Sequence, residues 1–354
     1  MRVRTVAVVG AGALLLVGGG SSVPASGQAP ERAGTGTAYN LHVGSFNIRS
    51  VQNDLHLAPG ERPWRVRRPY VVRDILSQKV DVIGVQEASQ NTKYAYLMDD
   101  GPNQYTDLMK GLDEAGGNYG LTNDEMYNCE RRDTVYHCVY HYRGASRATR
   151  ILYNQDTLTL LSQGSYEYRH QSGGKNDQRY LPWAKFRIKA TGKRFFFAST
   201  HLATRSVSLQ RAQWKELIAK VRTLHGRLPV VVTGDFQASK FSPPADTMMR
   251  AMRRAGFNDV LNQRYGTEHL SHRRAEKMLD RWINTENRFH RDVRTFAYEQ
   301  NHHWIGNNVD WIFATNRLVV KRWKVVVHFN HKTLRLRGVI PSDHNMVAAT
   351  IAIP

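Results

Sequence analysis

The sequence predicts an α/β domain, a four-layer sandwich of two mixed β-sheets flanked by helices. Three observations predict it. Short apolar strand patterns are followed by helical ones, hairpin signals are mixed among them, and 41% hydrophobic content over 354 residues supplies a core for one large domain.

The first 25 residues stand apart. Arg2 and Arg4 precede an apolar run over 6–17, and Val23-Pro24-Ala25 fits a cleavage site, the layout of a secretory signal peptide. The run is too short for a stable membrane anchor. Residues 26–39, rich in Ser, Gly, Ala and Pro, read as a disordered leader, and 40–354 as a single domain, exported and monomeric. The two cysteines, Cys129 and Cys138, would then meet an oxidising compartment, where a local disulfide is expected.

Within the domain, residues 41–48 alternate apolar and polar and deliver Asn47 near a strand's end. Residues 65–77 have helical spacing, with Pro69 disturbing the first turn. A second strand, 80–86, hands over Glu87; a helix over 104–114 stops at Gly116-Gly117; 150–153 form a strand. Residues 182–188 and 194–200 form a hairpin about Thr191-Gly192 and end at His201. The helix over 208–224 carries Leu209, Ala212, Trp214, Leu217, Ile218, Val221 and Leu224 on one broad face.

It leads into Pro229–Gln237, the stretch that organises the rest. Val230 to Thr233 form a buried strand, Gly234 lets the backbone turn and approach a ligand, and Asp235 arrives at the strand's C-terminal end. In α/β sheets that end is where ligands collect. Pro243-Pro244 then open a helix ended by Gly256. Residues 262–306, rich in His, Arg and Asn, are expected to form a basic insertion over the site; 309–314, 319–329 and 346–353 are the last strands, the final one entered through Ser342-Asp343-His344.

The strand ends carry Asn47, Glu87, His201, Asp235 with Gln237, Asp310, and Asp343 with His344. Asp310 lies inside an apolar strand, where a carboxylate is costly to bury without a cation or a hydrogen-bonded partner, and His344 is the candidate partner. In order, FN at 46–47, QE at 86–87, STH at 199–201, GDFQ at 234–237, VDWIF at 309–313 and SDH at 342–344 resemble the endonuclease/exonuclease/phosphatase superfamily, the deoxyribonuclease I-like fold, as a secreted bacterial-type member. Arg179, Pro182 and Phe186 resemble the hairpin that precedes the first catalytic histidine of that fold. Gln237 departs from the family's Asn: its carboxamide reaches one methylene further, so either the loop is set back or phosphate contact and water positioning are altered.

The resemblance implies metal-dependent hydrolysis of a phosphate ester. Glu87 would be the main metal ligand, with Asn47 beside it and Asp343 sharing the ion. Oxygen donors suit Mg²⁺ or Mn²⁺, with Ca²⁺ as an assisting ion. Asp235 would orient or deprotonate water, Gln237 would hold a phosphate oxygen, and His201 and the Asp310–His344 pair would flank the phosphate as donors or proton carriers. Lys and Arg total 50 against 30 Asp and Glu, a balance of +20 that favours a long polyanion. The expectation is a DNA endonuclease, with Arg179 and Arg205 on substrate phosphates. The alternatives are a sphingomyelinase-like phospholipid phosphodiesterase and a non-catalytic polyanion-binding protein.

Overall fold

The structure is a computed structural model, and it describes residues 38–123, 147–173, 178–204, 206–240, 242–261, 277–294 and 306–354. The signal-peptide segment, the Cys129–Cys138 pair, Arg205 and most of the predicted basic insertion lie outside the described residues.

The strands in chain order are β1 (Tyr39–Asn47), β2 (Val82–Gln86), β3 (Tyr119–Leu121), β4 (Arg150–Asn154), β5 (Leu158–Glu167), β6 (Tyr180–Ile188), β7 (Arg194–His201), β8 (Val230–Asp235), β9 (Phe257–Asp259), β10 (Lys277–Leu279), β11 (Asp310–Thr315), β12 (Val319–Val326), β13 (Phe329–Asn330), β14 (Arg335–Leu336) and β15 (Met346–Ile353). The α-helices are α1 (Trp64–Ser77), α2 (Gln104–Glu114), α3 (Val207–Leu224) and α4 (Pro243–Arg254), and short 3-10 turns span Val51–Leu55 and Thr92–Leu97. Two large sheets result, one ordered β10-β12-β15-β1-β2-β4-β3 and the other β5-β6-β7-β8-β11-β9. Each mixes parallel and antiparallel pairs: β1 runs parallel to β2 and antiparallel to β15, and β7 runs parallel to β8 and antiparallel to β6.

Strand alternation sorts the side chains into layers. Leu41, Val43, Phe195, Phe197, Val231 and Ile312 fill the space between the sheets. The outer face of the first sheet packs Phe46, Ile83 and Val85 against Val71, Ile75 and Leu108 of α1 and α2. The outer face of the second packs Phe196, Val232 and Phe313 against Trp214, Leu217 and Met248 of α3 and α4. This is the predicted four-layer order.

Pro69 does not break α1. Its side chain faces solvent, so the missing amide leaves no buried carbonyl on the packed face. The predicted strand over 319–329 is in fact two, because the chain leaves the large sheet after Val326 and pairs Phe329 with Leu336 in a separate ribbon. Strand β5 has no counterpart among the predicted elements; it is a half-exposed edge strand with a register shift between Leu160 and Ser162, which blurs its alternation. Among the described residues, no helix is long and apolar enough to cross a membrane.

Candidate active site

The pleat that buries Val43, Val231, Phe197 and Ile312 between the sheets also decides what stands at the top of that layer. Counting by twos, Val43 leads through Ser45 to Asn47, Phe197 through Ser199 to His201, and Val231 through Thr233 to Asp235; backwards from Ile312 comes Asp310. The inter-sheet space therefore grades from apolar through Ser and Thr to ionisable groups, all opening at one end. Register fixes the lateral order: Asp235 is directly opposite Asp310 on one side and His201 on the other.

Gly234 holds this register. At φ 155° an added Cβ would collide with the carbonyl oxygen of Thr200, so the glycine permits the close approach of β7 and β8. Directly beyond the strands, Arg49 (φ 60°), Glu87 (φ 60°) and Gln237 (φ 53°) adopt the left-handed conformation. Non-glycine residues hold it at a cost, and such residues gather where side-chain direction matters.

Asp235 is fully buried and accepts from the Gln237 backbone amide at 3.0 Å, from Gln237 Nε2 at 2.6 Å and from Asn47 Nδ2 at 3.1 Å. His201 Nε2 and His344 Nε2 stand 3.6 and 3.7 Å from its Oδ2. His344 Nδ1 bonds Asp310 Oδ2 at 2.8 Å. Burial pushes the Asp235 carboxyl up to about 7, with His344 pulling against it and Asp310 adding to it. The two histidines diverge. Burial, Arg179 and His344 hold His201 well below its ordinary range; for His344 burial is outweighed by the Asp310 and Asp235 charges, which hold it well above. One imidazole is thus kept neutral and the other charged.

Across from Asp235, Asn47 Nδ2 also donates to Glu87 Oε1 at 3.1 Å, and Ser50 N donates to Glu87 Oε2 at 3.0 Å. Asn47 Oδ1 accepts from the Arg49 amide at 3.1 Å, so its carboxamide orients two carboxylates with the nitrogen. Asp343 is pushed up by burial and by the Glu87 charge, against the pull of His344 and Arg49. Glu87 and Asp343 thus stand close enough for the Glu87 charge to act on Asp343. Their all-oxygen donor set fits a hard divalent cation. Asp235, Asp310 and His344 also bring ligand atoms within 4.8 Å of one another and could hold an ion, although the Asp310–His344 hydrogen bond occupies one atom of each.

Sequence reasoning missed the residues that hold these groups in place. Arg49 Nη1 donates to Asp343 Oδ2 at 3.1 Å while its Nε donates to buried Glu61 at 3.2 Å. Arg67 is fully buried on α1 and donates to the carbonyls of Ile48 and Pro341, tying together the loops that carry Asn47 and Asp343. Its residue type suggests solvent or a polyanion, and its place on the packed side of α1, with Trp64 and Val71, is the signal against that. Gln210 and Gln213, off the predicted apolar face of α3, are buried and hold Ala203 and the Gln237 carbonyl. Ser342 Oγ donates to the Asn47 carbonyl at 2.7 Å, and Thr285 Oγ1 accepts from the Asp310 amide at 3.2 Å. The described part of the predicted insertion, 277–294, therefore braces the site rather than covering it.

Arg179 lines a cleft of 560 Å³ that opens beside Glu87 and His201. Tyr180 is buried and Trp183 stacks on Phe196 at 5.9 Å, so both pack rather than present a face for bases.

Two packed mixed sheets with this polar rim define a four-layer α/β protein of the deoxyribonuclease I-like fold, a class of phosphoester hydrolases. The chain belongs to the endonuclease/exonuclease/phosphatase family, whose model matches residues 39–344. No curated protein sequence matches it. Among solved structures it is similar to an endonuclease/exonuclease/phosphatase family protein from Bacteroides thetaiotaomicron, with 17% identity, TM-score 0.62, and coverage of 90% of this chain and 96% of that one. It is similar to the B. thetaiotaomicron mannosyl-6-phosphatase, with 16% identity, TM-score 0.59, and 88% and 100% coverage. It is also similar to D. rerio TDP2 complexed with single strand DNA product, with 13% identity, TM-score 0.53, and 88% and 98% coverage. Enzymes of the family are generally dependent on a divalent metal.

Proposed function

We propose that this chain is a secreted phosphodiesterase that hydrolyses nucleic acid with a divalent cation, as a DNA endonuclease. The observation that carries the reading is the run His201–Asp235–His344–Asp310, in which a buried carboxylate lies between a neutral and a charged imidazole, beside the carboxylates Glu87 and Asp343. The excess of 20 positive charges favours a polyanionic substrate, and the signal-like N-terminus supports export.

Glu87 and Asp343, with Asn47 alongside, would hold Mg²⁺ or Mn²⁺, and the ion supplies Lewis-acid stabilisation of charge on the phosphate oxygens. Asp235, whose basicity is raised by burial, takes a proton from the attacking water; Gln237 and Asn47 fix its carboxylate from both sides. His344, kept charged by Asp310, offers a proton to the phosphate or the departing oxygen, and neutral His201 faces the same group as a hydrogen-bond partner. The chain presents no serine or cysteine paired with a base in this set, so direct attack by water is the proposed course.

The test is cleavage of supercoiled plasmid, single-stranded RNA and sphingomyelin with Mg²⁺ or EDTA, next to His344→Ala. Nicking that needs the metal and is lost in the variant is the expected result. Choline-phosphate release with intact plasmid would reassign the enzyme to phospholipid, and binding of DNA without cleavage would make it a polyanion-binding protein.

A further inference from the structure

Of the catalytic and metal-binding groups only Glu87 and His201 line the 560 Å³ cleft, so it lies to one side of the run of catalytic groups. That volume is within the range of pockets that enclose a drug-sized ligand, far more than a scissile phosphate needs. Its described charged lining, apart from Glu87, is positive throughout: Lys93, Arg147 and Arg179. The three come from separate parts of the chain, two of them on the loops that follow β2 and precede β4 and the third just before β6, so no single basic segment explains their convergence. Lys93 is exposed and its ammonium stands 5.8 Å from the ring centroid of Tyr94, which also lines the cleft. Arg147 is half-buried and adopts the left-handed conformation at φ 54°. The flank beside His344 is different. There Glu286 bridges to His344 through the backbone and takes Arg288 in an ion pair at 3.0 Å, which leaves little net charge for an anion. Among the described residues, the convergence of Lys93, Arg147 and Arg179 marks the Glu87 side of the site as a positive flank.

We propose that this cleft is a second phosphate subsite, in which Lys93 and Arg147 receive the phosphate adjoining the one that is hydrolysed, so that the substrate is an oligonucleotide or strand rather than an isolated phosphodiester. The proposal rests on the phosphodiesterase reading above and adds to it the side on which the strand lies. An arginine and a lysine sharing one phosphate form charge-assisted hydrogen bonds, which favour a substrate with that group over one without it.

The experiment uses two pairs of chromogenic esters: thymidine 5′-(4-nitrophenyl phosphate) with and without a 3′-phosphate, and thymidine 3′-(4-nitrophenyl phosphate) with and without a 5′-phosphate. In the wild-type protein with Mg²⁺ or Mn²⁺, the added phosphate in one pair raises kcat/KM by roughly tenfold or more, as expected for charged hydrogen bonds. In Lys93→Gln/Arg147→Gln that gain falls below about twofold, whereas Lys93→Arg/Arg147→Lys keeps most of it, since charge rather than packing supplies it. On single-stranded DNA the neutral double variant also shows a shallower dependence of KM on salt, by about one phosphate contact. No gain in either pair, or a gain that survives in the neutral variant, overturns the subsite while leaving the hydrolase intact. Hydrolysis of none of the esters removes the reaction itself, and the subsite with it.

Discussion

Asp235 and Asp310 face one another directly across the antiparallel β8–β11 pair, and His344 lies against both, 3.7 Å from the first and 2.8 Å from the second. Two like charges opposite one another in a sheet repel, and here both are buried. The pair is tolerable because the imidazole between them carries a proton, and that same requirement keeps a proton donor at the centre of the site.

Replacing Asp310 by Asn keeps the shape and removes the largest of the three charges that raise His344, those of Asp310, Asp235 and Asp343. A base whose folded pKa is raised stays protonated further into alkaline pH; with the cause removed it deprotonates earlier. The alkaline limb of kcat against pH therefore moves to lower pH in Asp310→Asn, and the rate at pH 8 falls by about 10² to 10³, the range for loss of a positioned acid. A limb that stays in place would separate His344 from the proton transfer.

Gln237 uses the extra methylene that sets it apart from Asn. From its left-handed backbone it folds back so that one carboxamide nitrogen stands 2.6 Å from Asp235 and 3.3 Å from His201. Gln237→Ala should lower kcat by about 10² or more, as removal of a preorganised donor does elsewhere. Gln237→Asn restores the carboxamide on a residue that tolerates positive φ better, and its activity should lie between alanine and wild type. Steady-state kinetics on one ester decides it; equal rates for all three would remove Gln237 from the chemistry.

The rim residues were legible because each ends a strand whose apolar alternation is plain: Val231, Thr233 and Asp235 announce both the pleat and its outlet. Arg67, Gln210 and Gln213 were not. Their types signal solvent, and only packing shows that α1 and α3 turn them inward to bind backbone carbonyls of loops far away in sequence. Strand β5 escaped for a related reason, since an edge strand with Ser, Gln and Gly on both faces carries no period to read.

Glu216 ties α3 to the loop that follows β5. It accepts from Tyr166 at 2.6 Å and from the backbone amides of Arg169 and His170 at 2.8 and 3.1 Å. Burial raises its carboxyl, but these hydrogen bonds together with that of the His170 ring outweigh it, and the net shift is downward. A carboxyl depressed in the folded state binds fewer protons than in the unfolded state, so its stabilisation is fully present above the ordinary Glu range and is lost as pH falls through the folded value. The difference in melting temperature between wild type and Glu216→Gln should accordingly shrink as pH is lowered from 7 toward the acid side of that range. A difference independent of pH would mean that packing, not the carboxylate, holds the loop.

Gly84 sits where β2 of one sheet closely approaches β7 and β8 of the other. A Cβ there would press on Ser199 Cβ at 2.7 Å and on the hydroxyls of Ser199 and Thr233, all fully buried. Overpacking of this kind costs about 1 to 3 kcal/mol. The strain would not stay local, because Gly84, Ser199 and Thr233 stand on β2, β7 and β8, two or three residues before Glu87, His201 and Asp235. Gly84→Ala should therefore lose more activity at a temperature where it remains folded than its fall in stability accounts for. Gly84→Ala combined with Ser199→Gly removes the nearest obstruction and should recover stability in part, the remainder coming from the Thr233 hydroxyl still in the way and from the lost 3.0 Å hydrogen bond from Gln86 to Ser199. Denaturant midpoints for the two single variants and the double one measure that coupling; strictly additive effects would show that the sheets can separate at this point without disturbing the residues above it.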